Sequence, residues 1–283
     1  MSTEIYYFSG TGNSLYVAKE LQKRIPDCSL IPMVSLLNKE VIQAHSKSIG
    51  FIFPVHALTI PLAVKIFLKK IDMNSAEYSF AIVTRLGIIF RDFKKIDKLL
   101  KKKNKHLDSH FILNMYSNDV EDKHYKNPTE ADILKLEAVV QERLNLIQDI
   151  IVNKKISRGK DSDYLIALPY NRPVNYLLEK LVHLAMTFSE YTGGVDYFCS
   201  DSQCTGCGIC EKVCLSQKIK MIDEKPVWQK KVICYMCYAC INFCPAQSVQ
   251  INNMPGVVKS YTRINGRYPH PYAKVKDITG EKQ

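Results

Sequence analysis

The sequence predicts an α/β chain in two parts, a doubly wound parallel sheet followed by a small α+β domain near the C-terminus. Three observations predict it. Strand-like runs alternate with helical patterns through the first 155 residues. A loop of hydroxyl and glycine residues joins the first strand-like run to the first helix. Of ten cysteines, all but Cys28 fall between Cys199 and Cys244. The 283 residues suffice for one large domain or two small ones with real cores.

The strand-like runs lie at 4–8, 28–34, 49–55, 78–84 and 107–115, with helical patterns at 13–25, 60–71, 91–103 and 129–154. Such alternation argues for a parallel sheet wound on both sides, with ligands at the C-terminal strand ends near the switch point. The first helix carries apolar positions at helical spacing from Leu15 to Ile25, and Pro26 stops it. Between it and the first strand runs Ser9-Gly10-Thr11-Gly12-Asn13-Ser14. Backbone amides at a helix N-terminus, with the side chains of Ser9, Thr11, Asn13 and Ser14, can surround a dianion without Lys or Arg. Gly10 and Gly12 permit close approach. The loop lacks the Lys-Ser/Thr ending of a P-loop and the third glycine of G-x-G-x-x-G. An ordinary βα turn capped by Ser or Thr is the alternative.

The second part is read from two strings. Cys204, Cys207, Cys210 and Cys214 follow the spacing C-x2-C-x2-C-x3-C, and Cys234, Cys237, Cys240 and Cys244 repeat it, with Pro245 next. This resembles the bacterial two-cluster ferredoxins, in which the fourth Cys ligates the other cluster. Two-residue gaps let a tight loop present three sulfurs to three irons of a cubane, and the fourth iron needs a sulfur from elsewhere. One [4Fe-4S] cluster then takes Cys204, Cys207, Cys210 and Cys244, and the other takes Cys234, Cys237, Cys240 and Cys214. Leu215 stands where the second string has Pro245, a departure that touches the turn and leaves the ligands intact. Paired zinc sites are the alternative, although zinc motifs usually join two C-x2-C knuckles over a longer gap. The apolar residues around the strings predict low reduction potentials, or simply the core of a small domain. Cys28 and Cys199 are not needed as ligands; Cys28 reads as a small buried hydrophobe and the role of Cys199 stays open.

Phe8-Ser9-Gly10-Thr11-Gly12-Asn13-Ser14 resembles the FMN phosphate loop of flavodoxins. Joined to the cysteine strings, the chain is similar to the flavodoxin–ferredoxin fusion proteins over residues 1 to 252. The resemblance implies a flavodoxin-like sheet, FMN, and two loops that hold the flavin ring. One is Pro54-Val55-His56-Ala57, after the third strand, and the other is Thr84-Arg85-Leu86-Gly87, after the fourth. Their content departs from single-domain flavodoxins, which sandwich the ring with Trp or Tyr. His56 is the flat side chain of the first loop, as a ring contact or as packing. Arg85 stands either beside the pyrimidine edge of the flavin or as a surface charge.

The formal charge of +11 invites a nucleic-acid reading, but two clusters and a flavin phosphate bring it to about +5. No nucleic-acid partner is expected. Lys94, Lys95, Lys98, Lys101, Lys102, Lys103 and Lys105 form a solvated helix face or a docking patch for an acidic redox partner protein. No apolar run is long enough to span a membrane, and the N-terminus does not read as a signal peptide, so a cytoplasmic protein is expected. The organisation predicted is 1–155 flavodoxin-like, 156–198 linker, 199–252 ferredoxin-like and 253–283 tail. Within the linker, an amphipathic helix from Val174 to Phe188 is expected to pack the two domains together. The tail is expected to be extended or wrapped over a neighbour.

These parts imply an electron-transfer protein that couples one- and two-electron carriers, with the clusters at one terminal and FMN at the other. Two alternatives stand beside it. One is a flavin-dependent reductase of a small, quinone-like acceptor. The other is a ferredoxin whose flavodoxin-like half binds no flavin and serves to dock.

Overall fold

A computed structural model describes residues 2–56, 59–86, 92–159, 197–252 and 260–283, together with Leu177, Lys180, Leu181, Leu184, Ala185 and Phe188. Two compact units emerge. The first comprises 1–9, 13–116 and 130–183, and the second comprises 10–12, 117–129 and 184–283. The division by compactness therefore differs from the one drawn on the sequence. Three residues of the Ser/Gly loop, a segment after the last long strand, and the C-terminal tail all group with the cysteine strings.

The first unit is built on six parallel strands. These are β1 (Thr3–Tyr7), β2 (Cys28–Pro32), β4 (Ser48–Pro54), β6 (Tyr78–Arg85), β7 (Ser109–Asn114) and β8 (Ser157–Arg158). Their order is β2-β1-β4-β6-β7-β8, with every pairing parallel. Setting aside the two-residue β8, this is the 2-1-3-4-5 order of doubly wound sheets of flavodoxin type, with its switch point between β1 and β4. The central strands read as continuous apolar runs because both faces are covered; β6 is buried at all eight positions. Gly50 in β4 gives way to the β6 ring beside it, since a Cβ there would lie 2.3 Å from Phe80 Cζ.

Helices α1 (Asn13–Gln22), α2 (Leu62–Lys70), α3 (Phe93–Lys101) and α4 (Glu130–Val152) fall where the 3.6-residue period placed them. Val140, Leu144, Ile147 and Ile151 of α4 join Leu15, Ala18 and Leu21 of α1 in one core. A polar seam ties the same pair, with Gln141 Nε2 donating to Tyr16 Oη at 2.8 Å. Lys103, past the end of α3, donates its ammonium to the carbonyls of Leu68 and Lys69, which closes the C-terminus of α2. Lys105 likewise reaches the carbonyl of Ala76. These two lysines are therefore structural, and the basic face reduces to Lys94, Lys98, Lys101 and Lys102, with Lys95 paired to Asp92. A two-residue pair, β3 (Ile42–Gln43) with β5 (Ile71–Asp72), completes the unit.

The second unit has little regular structure. Strand β9 (Phe198–Ser200) pairs antiparallel with β12 (Val249–Ile251), and β10 (Ile219–Ile222) with β11 (Lys225–Trp228). Short helices carry the third cysteine of each string, Cys210 in α5 (Ile209–Val213) and Cys240 in α6 (Ala239–Asn242). The tail, expected to be extended or wrapped over a neighbour, contains α7 (Val275–Gly280).

Of the expected linker helix, the six described residues are helical. Their apolar members are 56 to 71% exposed at Leu177, Leu181, Leu184 and Phe188. The rest of 174–188 lies outside the described residues. No helix among the described residues is long and apolar enough to cross a membrane.

Candidate functional site

The cysteine strings form a repeat with a 30-residue offset that extends to the backbone. Left-handed φ values occur at Gly206 and Gly208, +70° and +71°, and recur at Met236 and Tyr238, +50° and +57°. Gln217 and Gln247, three residues past each last cysteine, are left-handed as well. Each string is thus a tight loop, one short helix and a strand. The loop turns its backbone out of the way with residues that L side chains seldom allow.

The fold brings the last cysteine of each string to the first three of the other. Cys210 lies within electrostatic range of Cys204, Cys207 and Cys244, and these four line one cavity with Met221, Pro226 and Val249. Cys240 lies within range of Cys237, Cys214 and Cys234, and then of Cys210 from the first set. Cys210, Cys214, Cys240 and Cys244 belong to the apolar core of this unit, among Val120, Ile219, Ile241 and Val249. Two backbone amides point at sulfur: Met236 N–H to Cys234 Sγ, and Ser248 N–H to Cys244 Sγ, both at 3.3 Å.

Loss of water pushes the Cys210 thiol up to about 11, with the neighbouring cysteines adding to it, and drives Cys237 and Cys240 up for the same reason. Such sulfurs stay protonated until a cation stabilises the thiolate. Among the described residues, no three His, Cys, Asp or Glu side chains converge tightly enough to ligate one ion.

Cys199, in β9, donates to Asn252 Oδ1 at 3.2 Å and its thiol is raised by burial. Cys28 opens β2, is half-buried against the first unit's core, and is raised to about 11 by burial and the Asp27 charge. Neither stands in the sets of four.

The Ser/Gly loop leaves β1 and enters α1. Ser9, Thr11, Asn13 and Ser14 are all buried. The backbone N–H groups of Gly10, Thr11, Asn13 and Ser14 donate to no other described residue, as the opening of a helix leaves them. Asn13 donates through Nδ2 to the Tyr116 carbonyl at 2.8 Å, and its Oδ1 has no hydrogen-bond partner among the described residues. Ser14 Oγ meets Thr84 Oγ1 at 2.8 Å, which brings the loop to the end of β6. Free amides at the start of a ten-residue helix suit a phosphate, and a buried amide oxygen suits a ribityl hydroxyl.

Within the second unit the tip of this loop is tightly seated. A Cβ at Gly10 would lie 2.0 Å from the Cys237 carbonyl oxygen, and one at Gly12 would lie 2.3 Å from Ala273 Cβ. Thr11 Oγ1 accepts from Asn118 Nδ2 at 2.7 Å, and the Thr11 carbonyl accepts from His270 N–H at 2.7 Å. Sequence reasoning missed Asn118 and His270, which carry no motif.

The residues expected at the ring are placed unevenly. Pro54 ends β4, and Val55 N–H donates to the Thr84 carbonyl at 2.9 Å. His56 exchanges backbone hydrogen bonds with Thr59 and sets its ring edge-on to Phe8 at 5.8 Å. Arg85, the last residue of β6, is 5% exposed, which corrects the surface-charge alternative. Leu86 is 43% exposed. Ala57 and Gly87 lie outside the described residues.

No family model and no curated protein matches the chain. Among solved structures, the rubredoxin:oxygen oxidoreductase of the anaerobe Desulfovibrio gigas is similar, with a TM-score of 0.30 and 14% identity. The match covers 52% of this chain and 36% of that one, so the chain spans about a third of that protein's length.

Proposed function

We propose that this chain is an electron-transfer flavo-iron–sulfur protein, with two [4Fe-4S] clusters in the second unit and FMN held from the β1–α1 loop. One observation carries the reading: each fourth cysteine sits with the first three of the other string, which supports the crossed ligation of the sequence pattern. When bound, the clusters carry one electron each and FMN carries two, so the chain couples carriers of the two kinds.

The residues have separate tasks. Cys204, Cys207, Cys210 and Cys244 hold one cluster, and Cys234, Cys237, Cys240 and Cys214 hold the other. The apolar residues Val120, Ile219, Ile241 and Val249 keep water away, and the amides of Met236 and Ser248 donate to sulfur and stabilise its charge. In the loop, the amides of Gly10, Thr11, Asn13 and Ser14 receive the flavin phosphate, and Ser9 and Thr11 add hydroxyls. Buried Arg85, at the C-terminal end of a central strand, is the cation for an electron-rich flavin edge.

The test is composition. Protein purified without oxygen is expected to contain about eight iron, about eight sulfide and about one FMN per chain. Zinc in place of iron overturns the cluster assignment. Full iron without flavin, even after incubation with FMN, leaves the first unit as a docking scaffold for a ferredoxin.

A further inference from the structure

The two sets of cysteines are alike in spacing and backbone, yet the charged side chains around them differ. Beside the set that contains Cys244 sits Arg267, from the tail. One of its Nη2 bonds runs to the Gln247 carbonyl and another to the Val249 carbonyl, both 3.0 Å. Ser248 lies between those two carbonyls, and its N–H donates to Cys244 Sγ. Nη1 is held by the carbonyls of Thr262 and Asn265, each at 2.9 Å. The guanidinium is therefore fixed on the segment that wraps this sulfur, and its charge is felt at both Cys244 and Cys240. Its counter-charge, Asp201, is shared with Arg263 at 3.6 Å, so this corner keeps a positive balance.

Beside the other set the balance is reversed. Val120 is buried in the cysteine core, and its neighbours Asp119 and Glu121 are half-buried beside it. Glu121 Oε2 accepts from Tyr238 Oη at 3.0 Å, one residue past Cys237. Glu281, fully buried, acts on Cys237. Two cations, Lys282 and Lys218, stand against these three carboxylates, Lys282 within range of Cys214. Lys218 is buried at the place that Ser248 holds in the other string and donates its ammonium to the carbonyls of Gln229 and Val232.

We infer that Arg267, with Asp119 and Glu121 opposite it, makes the two clusters unequal. The Cys204–Cys207–Cys210–Cys244 cluster accepts an electron at the higher potential. A fixed cation favours the added negative charge and fixed carboxylates oppose it, and both effects are large in a dry core. The proposal rests on the two-cluster reading. Each cluster takes one electron, from the 2+ to the 1+ state, supplied in the test by dithionite. Arg267 and Glu121 are positioning residues for charge and bond neither iron nor inorganic sulfide. The assignment gives the chain an order, because electrons rest on the Arg267 side before the carboxylate side fills.

The experiment is an anaerobic reductive titration of the whole chain at one mildly alkaline pH, followed by electron paramagnetic resonance. Hyperfine-shifted proton NMR of the cysteine methylenes identifies which set is reduced. Two separate steps are expected, the Cys244 set first. Arg267→Gln is expected to weaken reduction of that set at least tenfold, about 59 mV for one electron, and to weaken reduction of the other, which Arg267 meets at Cys240, by less. Glu121→Gln is expected to ease reduction of the other set. Arg267→Lys, which keeps the charge and drops the fork of hydrogen bonds, is expected to stay near the parent. Iron and sulfide analysis separates the two failures. Loss of the eight-iron content in the parent protein defeats the cluster reading. Full iron with coincident steps, or with Arg267→Lys falling as far as Arg267→Gln, overturns the charge assignment. If Arg267→Gln does not load, Glu121→Gln and Arg267→Lys decide alone.

Discussion

The first unit places its large apolar side chains on a sheet, while the second gathers its core around sulfur. Phe51, Phe53 and Phe80 lie on paired central strands of the first unit and are fully buried there, with Phe67 of α2 buried as well. Its elements are those that backbone period alone requires. In the second unit, four cysteines share a small core with four- and five-residue helices and three- and four-residue strands. Helices that short do not stand by themselves in water. The contrast is between a unit held by burial of hydrocarbon and one that, on the proposed function, depends on what its sulfurs bind.

The largest expected effect breaks the comparison if it fails. Removing iron with a strong chelator under reducing, anaerobic conditions is expected to unfold the second unit and spare the first. Residues 197–252 and 260–283 then lose hydrogen-exchange protection, and the six-stranded sheet keeps it, because metal binding supplies the folding free energy of such sites. Cys210, Cys237 and Cys240 are left as desolvated thiols with little else to pack around them. A second unit that stays protected without iron means its small core suffices.

The same contrast sets what could be read from the sequence. The five long strands and four long helices of the first unit carry the hydrophobic period that burial demands, and each was legible to within a few residues. Strands β3, β5 and β8 were not, because two residues have no period and exist only by pairing. In the second unit the cysteine spacing gave the ligand candidates, since that spacing is itself the geometry of a loop around a cluster. The charges near them were hidden. Asp119, Glu121 and Arg267 come from segments without motif or period, and reach the sulfurs through folding at long range. At Leu177, Leu181, Leu184 and Phe188 the helical spacing was legible, but an amphipathic pattern does not say what covers the face.

A middle-sized effect separates the units by acid. His270 is 1% exposed and burial lowers it to about 4, so the folded second unit holds it neutral. The unfolded chain takes a proton near the ordinary value of about 6.5. Stability from this group is therefore present above about 6.5 and is lost as pH falls toward about 4, by about 3 kcal/mol. Denaturant unfolding from neutral pH down to that range checks it. His270→Gln is expected to flatten the decline for the second unit and leave the first unchanged. An equal decline in the variant assigns the acid sensitivity to other groups.

The smallest effect sharpens the comparison inside the second unit, between the halves of its repeat. Met236 and Gly206 hold the same place in the two strings, both left-handed, but only one is glycine. A left-handed L residue costs about 1–2 kcal/mol, partly offset by the greater freedom that glycine has when unfolded. Met236→Gly keeps the N–H that points at Cys234 Sγ and relieves the backbone, so it is expected to stabilise this unit by about 0.5–1 kcal/mol. The reverse change is the harsher one. At Gly206 a Cβ would stand 3.0 Å from the Glu224 carbonyl oxygen, so Gly206→Met adds crowding to strain and is expected to destabilise by more than Met236→Gly gains. Unfolding of the two variants beside the parent reads both signs. If Met236→Gly destabilises instead, the methionine side chain contributes packing that outweighs the strain, and the two strings are unlike in packing as well as in charge.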